Sequence, residues 1–189
     1  MSYYKILQRK ILPKWYSQNK NNKYNVLIVG CNSGEEVYNF AILLSEFNSL
    51  YKNFDFQILA IDSNEKYIEF SKRGVYQEES IKHIPLVLKK KYFLKSKDRT
   101  KKLVKIAPEL REKISFRKIA SLNDISFREK MDLIKINRKE FINFKMIKKL
   151  TTMFNKHGYM ITCCKNFLIS NHSQFKEIFP NVYCAILNE

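Results

Sequence analysis

The sequence has no apolar run near the roughly 20 residues that a membrane-spanning helix needs. Residues 1–5 also lack the charged start, apolar stretch and cleavage site of a signal peptide. The four cysteines show no paired metal-ligand spacing, and the three histidines stand apart from them. We therefore expect a cytoplasmic protein that does not insert into membranes, with buried thiols and no zinc site.

Acidic residues are few beside basic ones, with 18 Asp and Glu against 35 Lys and Arg and a formal net charge of +17. A field of this sign attracts polyanions and acidic protein surfaces. The lysines are scattered, and the abundance of Lys, Asn and Ile is also what an AT-rich genome produces. Two interpretations stay open: binding to nucleic acid or an acidic protein, or a compositional bias without function.

The chain length of 189 residues suits one α/β domain with a full core, and 45% of the residues are hydrophobic. There is no internal repeat and no low-complexity linker. We predict a single globular domain over residues 1–189 that acts as a monomer.

The most informative stretch is a strand-like run, residues 24–29, followed by a loop between two glycines. Gly30 lets the backbone turn sharply, and Gly34 opens a helix whose first residues are Glu35 and Glu36. This order is typical of α/β domains that hold a nucleotide-like ligand over a strand end. Helix N-termini attract phosphate, but an acidic pair at that point disfavours it. The pattern favours a ligand with a cationic end, and we predict S-adenosylmethionine.

Strand and helix patterns alternate along the first part of the chain. Apolar runs at 24–29 and 54–61 predict strands buried on both faces, and the apolar spacing at 35–47 and 64–72 predicts helices. This alternation predicts a parallel sheet with right-handed crossovers, and hence an α/β fold.

The rest of the chain adds further elements and one insert. Apolar spacing predicts helices at 4–12 (ended by Pro13), 85–91 and 146–154, and strands at 114–119, 131–136, 159–163 and 182–187. Two short apolar runs, 91–94 and 103–106, flank a charged turn and predict a small β-hairpin insert at 91–107.

Asp62 ends the second strand, about 20–30 residues beyond the glycine loop, where such folds hold ribose hydroxyls. A simple helix cap is the alternative, because Asp62 and Ser63 precede a predicted helix. The spacing from the Gly30 loop favours the ligand role.

These residues resemble the methyltransferase domain of the CheR family, which methylates glutamate side chains of bacterial chemoreceptors with S-adenosylmethionine. Residues 30–41 are similar to the family's GCSTGEEPYS-A, and residues 58–64 to its ILATDID. Residues 74–76 are similar to its G-Y, residues 91–94 to RYFL, and residues 106–117 to V-PELR--V-FR. The likeness covers essentially the whole chain in order.

The resemblance implies a class I, Rossmann-like methyltransferase, with a mostly parallel seven-stranded sheet, flanking helices and an antiparallel last strand. The insert at 91–107 would be the family's small β-subdomain, which in some members docks on a receptor tail. The cofactor-binding positions implied by the family motifs are Gly30, Cys31, Gly34, Glu35, Glu36, Asp62, Ala120 and Lys139. Glu35 or Glu36 would face the cofactor's amino-acid end, and Asp62 its ribose.

Arg138 also matches the family, at a strand end above the pocket. The resemblance implies a catalytic-site role in which Arg138 attracts the acidic substrate, with a structural salt bridge as the alternative. The implied substrate is the cytoplasmic region of a chemoreceptor. One of its glutamate carboxylates would attack the sulfonium methyl in line, and it is already ionised at pH 7.

The chain departs from the family pattern at several positions. It begins at about the residue after the T-FFR segment that ends the family's N-terminal helical domain, which we therefore expect this chain to lack. Ala120-Ser121 stands where the family has Asn-Leu. Lys139 replaces an asparagine near the cofactor, and Asn143 replaces a tyrosine near the substrate. Residues 162–166 replace the family's GHSES.

Three functions remain open. The first is a working S-adenosylmethionine-dependent protein-glutamate O-methyltransferase of CheR type, whose activity the departures could impair. The second is a catalytically degenerate CheR-like protein that serves as a binding module. The third is an RNA methyltransferase. The net positive charge favours it, whereas the fourth strand lacks the Asn-Pro-Pro-Tyr type of motif that base-amine methylation often uses, which disfavours it.

Overall fold

The computed structural model describes residues 2–120, 129–139, 142–165, 167–170 and 172–186. The strands are β1 (Lys23–Val29), β2 (Asp55–Asp62), β3 (Val75–Gln77), β4 (Phe93–Lys95), β5 (Leu103–Ile106), β6 (Ile114–Lys118), β7 (Met131–Ile136), β8 (Phe154–Thr162), β9 (Phe175–Phe179) and β10 (Val182–Ala185). The helices are α1 (Tyr3–Ile6), α2 (Leu12–Gln18), α3 (Glu35–Leu50), α4 (Glu65–Arg73), α5 (Leu86–Tyr92), α6 (Pro108–Arg111), α7 (Phe144–Thr151) and α8 (Phe167–Ser170).

Seven strands form the main sheet, in the order β6-β2-β1-β7-β8-β10-β9. The strands β6, β2, β1, β7 and β8 run parallel to their neighbours, whereas β10 is antiparallel to both β8 and β9. This arrangement confirms the α/β class, the seven strands and the antiparallel last strand. Strand β9 was not predicted, because its apolar residues Phe175, Ile178 and Phe179 do not alternate with polar ones, and Ile178 is exposed.

Both faces of the main sheet are covered, which explains the apolar strands. Val26 and Ile28 of β1 pack in one core with α3 and the N-terminal helical segment. Leu27 and Val29 pack in a second core with α7. The alternation along β1 follows from the two-residue period of a strand.

The N-terminal helix does not stop at Pro13, so that prediction is wrong. A π-helical turn (Leu7–Ile11) follows α1, and α2 continues from Leu12 to Gln18. Pro13 lies in the first turn of α2, where a missing N–H is tolerated.

The predicted helix at 146–154 is shifted at both ends. It begins at Phe144, because the Asn143 side chain accepts a hydrogen bond from the Met146 amide at 2.9 Å and caps the helix. It ends at Thr151, and residues from Phe154 onward belong to β8. The strand thus begins five residues before the predicted strand at 159–163.

The predicted insert is confirmed and is larger than expected. Strands β4 and β5 pair antiparallel, and β3 joins the other edge of β5 to give a three-stranded sheet. Strand β3 has only three residues, which is too short for a periodic pattern.

The expectation of four buried thiols is wrong for three of them. Cys31 is buried, but Cys163 is exposed, and Cys164 and Cys184 are half-buried. Cys163 and Cys164 follow the end of β8, where the chain leaves the sheet.

Candidate functional site

The loop after β1 is tied to the end of β2. The amides of Gly30 and Cys31 both donate to the Ile61 carbonyl, at 2.9 and 3.1 Å. Gly30 has a φ of +77°, which an L side chain rarely adopts. The first glycine therefore makes the turn that the sequence predicted for it.

Gly34 begins α3 at a close contact with α4 and the insert. Its φ is +84°, and a Cβ at this position would lie 2.7 Å from Ser71 Oγ and 2.9 Å from the Tyr76 hydroxyl. Ser71 lies in α4 and Tyr76 in β3. The second glycine thus allows the loop, α4 and the insert to approach one another.

Asp62 holds the loop in place from the end of β2. One of its carboxylate oxygens accepts from the Asn32 amide and the other from the Asn64 amide, each at 3.0 Å. The Asp62 side chain has no exposed surface. Asp62 is not the residue that caps α4. Asn64 caps this helix, because its side chain accepts a hydrogen bond from the Lys66 amide at the start of α4.

Arg138 lies over Asp62 and binds the same loop. Its guanidinium is 3.4 Å from an Asp62 oxygen and donates to Asn32 Oδ1 at 2.9 and 2.7 Å. It also lies 5.5 Å from the centroid of the Tyr67 ring, a cation–π distance. Arg138 thus forms the salt bridge named as its structural alternative. Because the Asp62 side chain is fully covered, a ribose could contact it only after its neighbours rearranged.

An open cleft of about 550 Å³ lies beside this cluster, at the ends of β1, β7 and β8. Its walls come from the N-terminal segment, the first turn of α3 and the turn between β9 and β10. Tyr3, Glu36, Lys135 and Asn181 line it.

The two glutamates of α3 face different sites. The Glu36 carboxylate lies in the cleft and accepts a hydrogen bond from the Tyr3 hydroxyl. Glu35 is exposed and borders a separate crevice of about 40 Å³ beside Tyr76 and Ile106. Of the two, only Glu36 lies where it could meet a ligand in the cleft.

Tyr3 remains a hydrogen-bond donor to Glu36. Burial, the neighbouring Tyr4 and the Glu36 carboxylate together raise the pKa of the Tyr3 phenol well above its usual value. Its proton is therefore retained at neutral pH, and Tyr3 fixes the orientation of the glutamate.

Lys135 is a site residue that the sequence interpretation missed. It is only 4% exposed, and its ammonium lies 5.4 Å from the centroid of the Tyr3 ring at the base of the cleft. The signal was a lysine inside the apolar run 131–136, since lysine is almost never buried without a partner. Burial lowers the pKa of Lys135, and the negative charge of Glu36 opposes that shift.

Substitution Lys135→Met should raise the free energy of unfolding at pH 7 by about 1–3 kcal/mol, because it removes a buried charge and keeps the volume. The lysine's folded pKa lies below its unfolded value of 10.5. Below the folded pKa, both states are charged and the burial penalty is complete. Above 10.5, both are neutral and the penalty vanishes. Denaturant unfolding from pH 7 to 10.5 should therefore show that the stability advantage of Lys135→Met over the unsubstituted chain shrinks as pH rises. An advantage that does not depend on pH would contradict this.

The remaining candidate residues lie apart from the cleft. The Cys31 side chain packs in the core, 4.0 Å from Ser71 Oγ, and burial raises the pKa of its thiol to about 11. Ala120 is exposed, in a bend two residues after β6. Lys139 is exposed as well. Ser121 lies outside the described residues.

Comparison with models of known protein families identifies the family of this chain. The model of the CheR methyltransferase, SAM binding domain matches residues 1–183, and the chain belongs to this family. S-adenosylmethionine is the cofactor that this domain binds. In the parts of the chain that the structure describes, no helix is long and apolar enough to cross a membrane.

Several curated proteins similar to this chain are named chemotaxis protein methyltransferases. A chemotaxis protein methyltransferase of Borreliella burgdorferi is 31% identical over 137 residues, which cover 70% of this chain and 47% of that protein. One from Campylobacter jejuni is 36% identical over 87 residues, covering 45% of this chain and 31% of that protein. The chain spans about half or less of the length of these curated relatives.

A solved structure shows the same fold. A methyltransferase from Geobacter sulfurreducens aligns with a TM-score of 0.55 over 95% of this chain and 78% of that one, at 11% identity. This likeness concerns the fold alone and confirms the class I methyltransferase architecture.

The cleft fits the amino-acid end of S-adenosylmethionine. An ammonium group needs acceptors, and Glu36 supplies a carboxylate held by Tyr3. Asn181 Oδ1 is a second acceptor on the cleft wall, buried and without a hydrogen-bond partner among the described residues. A buried acceptor that lacks a protein partner suits a ligand donor.

Proposed function

We propose that this chain is an S-adenosylmethionine-dependent methyltransferase domain that methylates glutamate carboxylates of an acidic protein, the cytoplasmic region of a chemoreceptor. The observation that carries the proposal is Glu36, held by Tyr3 in the cleft beside the Gly30 loop. The net charge of +17 supports an acidic partner. We also propose that it acts in the cytoplasm, as a monomer and as one domain over residues 1–189.

The mechanism we propose rests on positioning. The bound cofactor supplies an electrophilic methyl group on a sulfonium. Glu36 and Asn181 receive the ammonium and so fix the direction in which the methyl group points. The substrate carboxylate is ionised near pH 7, so the protein needs no general base. Placing the two reactants in line and excluding water would account for most of the acceleration.

The test is transfer of labelled methyl groups to a receptor fragment. We expect label in the fragment that contains glutamates, and its release by mild base, because carboxyl methyl esters hydrolyse readily. A matched fragment with the glutamates replaced by glutamine should take up none. Label that resists base, or equal label in both fragments, would contradict the proposed reaction.

A second candidate is a degenerate CheR-like binding module without methyl transfer. The specific observation in its favour is the Asp62–Arg138 ion pair, which covers the carboxylate that would receive the ribose. Binding of the receptor fragment without cofactor affinity at millimolar concentration would favour this candidate. Micromolar cofactor binding together with base-labile methylation would exclude it.

A further inference from the structure

Lys135 carries a buried positive charge that has no ion-pair partner among the described residues. It extends from the penultimate position of β7, and its hydrogen bond within the described part of the chain is a long one, 3.5 Å to the Ile136 carbonyl. Among the described residues its ammonium forms no ion pair. An ammonium group has three donors, and burying it without partners is unfavourable. Within the described ranges, this ammonium thus lacks strong acceptors, and a ligand in the cleft can supply one.

The cleft gives a ligand access to this ammonium, because Lys135 lines the cleft and is otherwise buried, with 4% of its surface exposed. The Tyr3 ring covers the ammonium on one side. The hydroxyl of the same ring binds Glu36, so a single tyrosine separates the cation from the anion. Asn181 adds an unpartnered acceptor to the same wall. The cleft thus presents one positive and one negative group, as a zwitterion requires.

We propose that Lys135 binds the α-carboxylate of the cofactor's methionine part, while Glu36 and Asn181 receive its α-ammonium. This inference rests on the proposed function, since it concerns the same cofactor. It adds a residue that the family motifs do not mark, and it explains why a strand buried on both faces contains a lysine. Glu36 and Lys135 then match the two charges of an amino acid, and no phosphate or polyanion fits this pairing.

The test compares S-adenosylmethionine with its decarboxylated analogue, which keeps the ammonium, sulfonium and adenosine. Titration calorimetry on the full chain should show that Lys135→Met weakens binding of S-adenosylmethionine on the order of 10- to 100-fold, the value of a charge-assisted hydrogen bond. Affinity for the decarboxylated analogue should be unchanged or higher, because a like charge has been removed. Lys135→Arg should keep part of the affinity for S-adenosylmethionine.

Each other result contradicts the inference in a recognisable way. Unchanged affinity of Lys135→Met for S-adenosylmethionine means that Lys135 does not bind the carboxylate. Equal loss for both ligands means that the substitution disturbs the cleft as a whole. If the unsubstituted chain binds neither ligand, the proposed function fails, and the inference fails with it. Thermal unfolding of the variant, expected at or above the temperature of the unsubstituted chain, checks that it is folded.

Discussion

Substitution Gly34→Ala is expected to lower the free energy of unfolding by about 2–5 kcal/mol, because strain and overlap act together. The φ of +84° places an L residue in the left-handed region. The new Cβ would lie 2.7 Å from Ser71 Oγ and 2.9 Å from Ser71 Cβ, and both atoms belong to a fully buried side chain. Since Ser71 is held in α4, the overlap can be relieved only by moving the helix or the loop. Denaturant unfolding measures the loss.

The neighbouring Ser33→Ala is the matched control, because Ser33 accepts the hydrogen bond of the Tyr76 hydroxyl with its backbone carbonyl, which the substitution keeps. It should change stability by less than about 0.5 kcal/mol. Adding Ser71→Ala to Gly34→Ala removes the nearest clashing atom and should recover part of the loss. A Gly34→Ala variant as stable as Ser33→Ala would show that the loop does not pack on α4 as described.

Asp62→Ala is expected to destabilise the protein by about 2–5 kcal/mol, because two backbone amides lose their acceptor inside the protein. The amides belong to Asn32 and Asn64, each 3.0 Å from the carboxylate. Arg138 also loses its ion pair, but it is 24% exposed and keeps its bonds to Asn32, so its share of the loss is smaller. Cofactor affinity should fall as well, since Asn32 borders the cleft.

Two matched variants separate the contributions at this cluster. Asp62→Asn keeps one carbonyl oxygen and should lose less stability than Asp62→Ala. Arg138→Ala removes the ion pair while leaving both amide bonds of Asp62 intact, and should lose the least. Equilibrium unfolding of the three variants gives the order directly. If Arg138→Ala proved the most destabilising, the ion pair rather than the amide bonds would hold the loop.

The strand–loop–helix start of the fold was predictable, because its signals are local. The apolar run of β1, the turn at Gly30 and the acidic first turn of α3 lie within fifteen residues, and each has a direct physical meaning. The family likeness extended this to a mostly parallel seven-stranded sheet with an antiparallel last strand. Strand β3, with three residues, and β9, with few core residues, have no such periodic signal.

The site was predictable only in part, because its residues are far apart in the sequence and only the tertiary structure brings them together. Arg138 and Asp62 are 76 residues apart along the chain, and nothing in either segment indicates that they pair. Spacing could not separate Glu35 from Glu36, because helix rotation decides which one faces the cleft. Lys135 was visible as an exception to an apolar strand. Its neighbour Tyr3, however, comes from the other end of the sequence.

Titration calorimetry of the unsubstituted chain with S-adenosylmethionine tests the central claim most directly. The claim is that the Gly30 loop and the cleft of Tyr3, Glu36 and Lys135 bind this cofactor. The expected result is one site per chain with a dissociation constant in the micromolar range, roughly −8 kcal/mol. Absence of heat at millimolar cofactor, with the chain folded by circular dichroism, would contradict it.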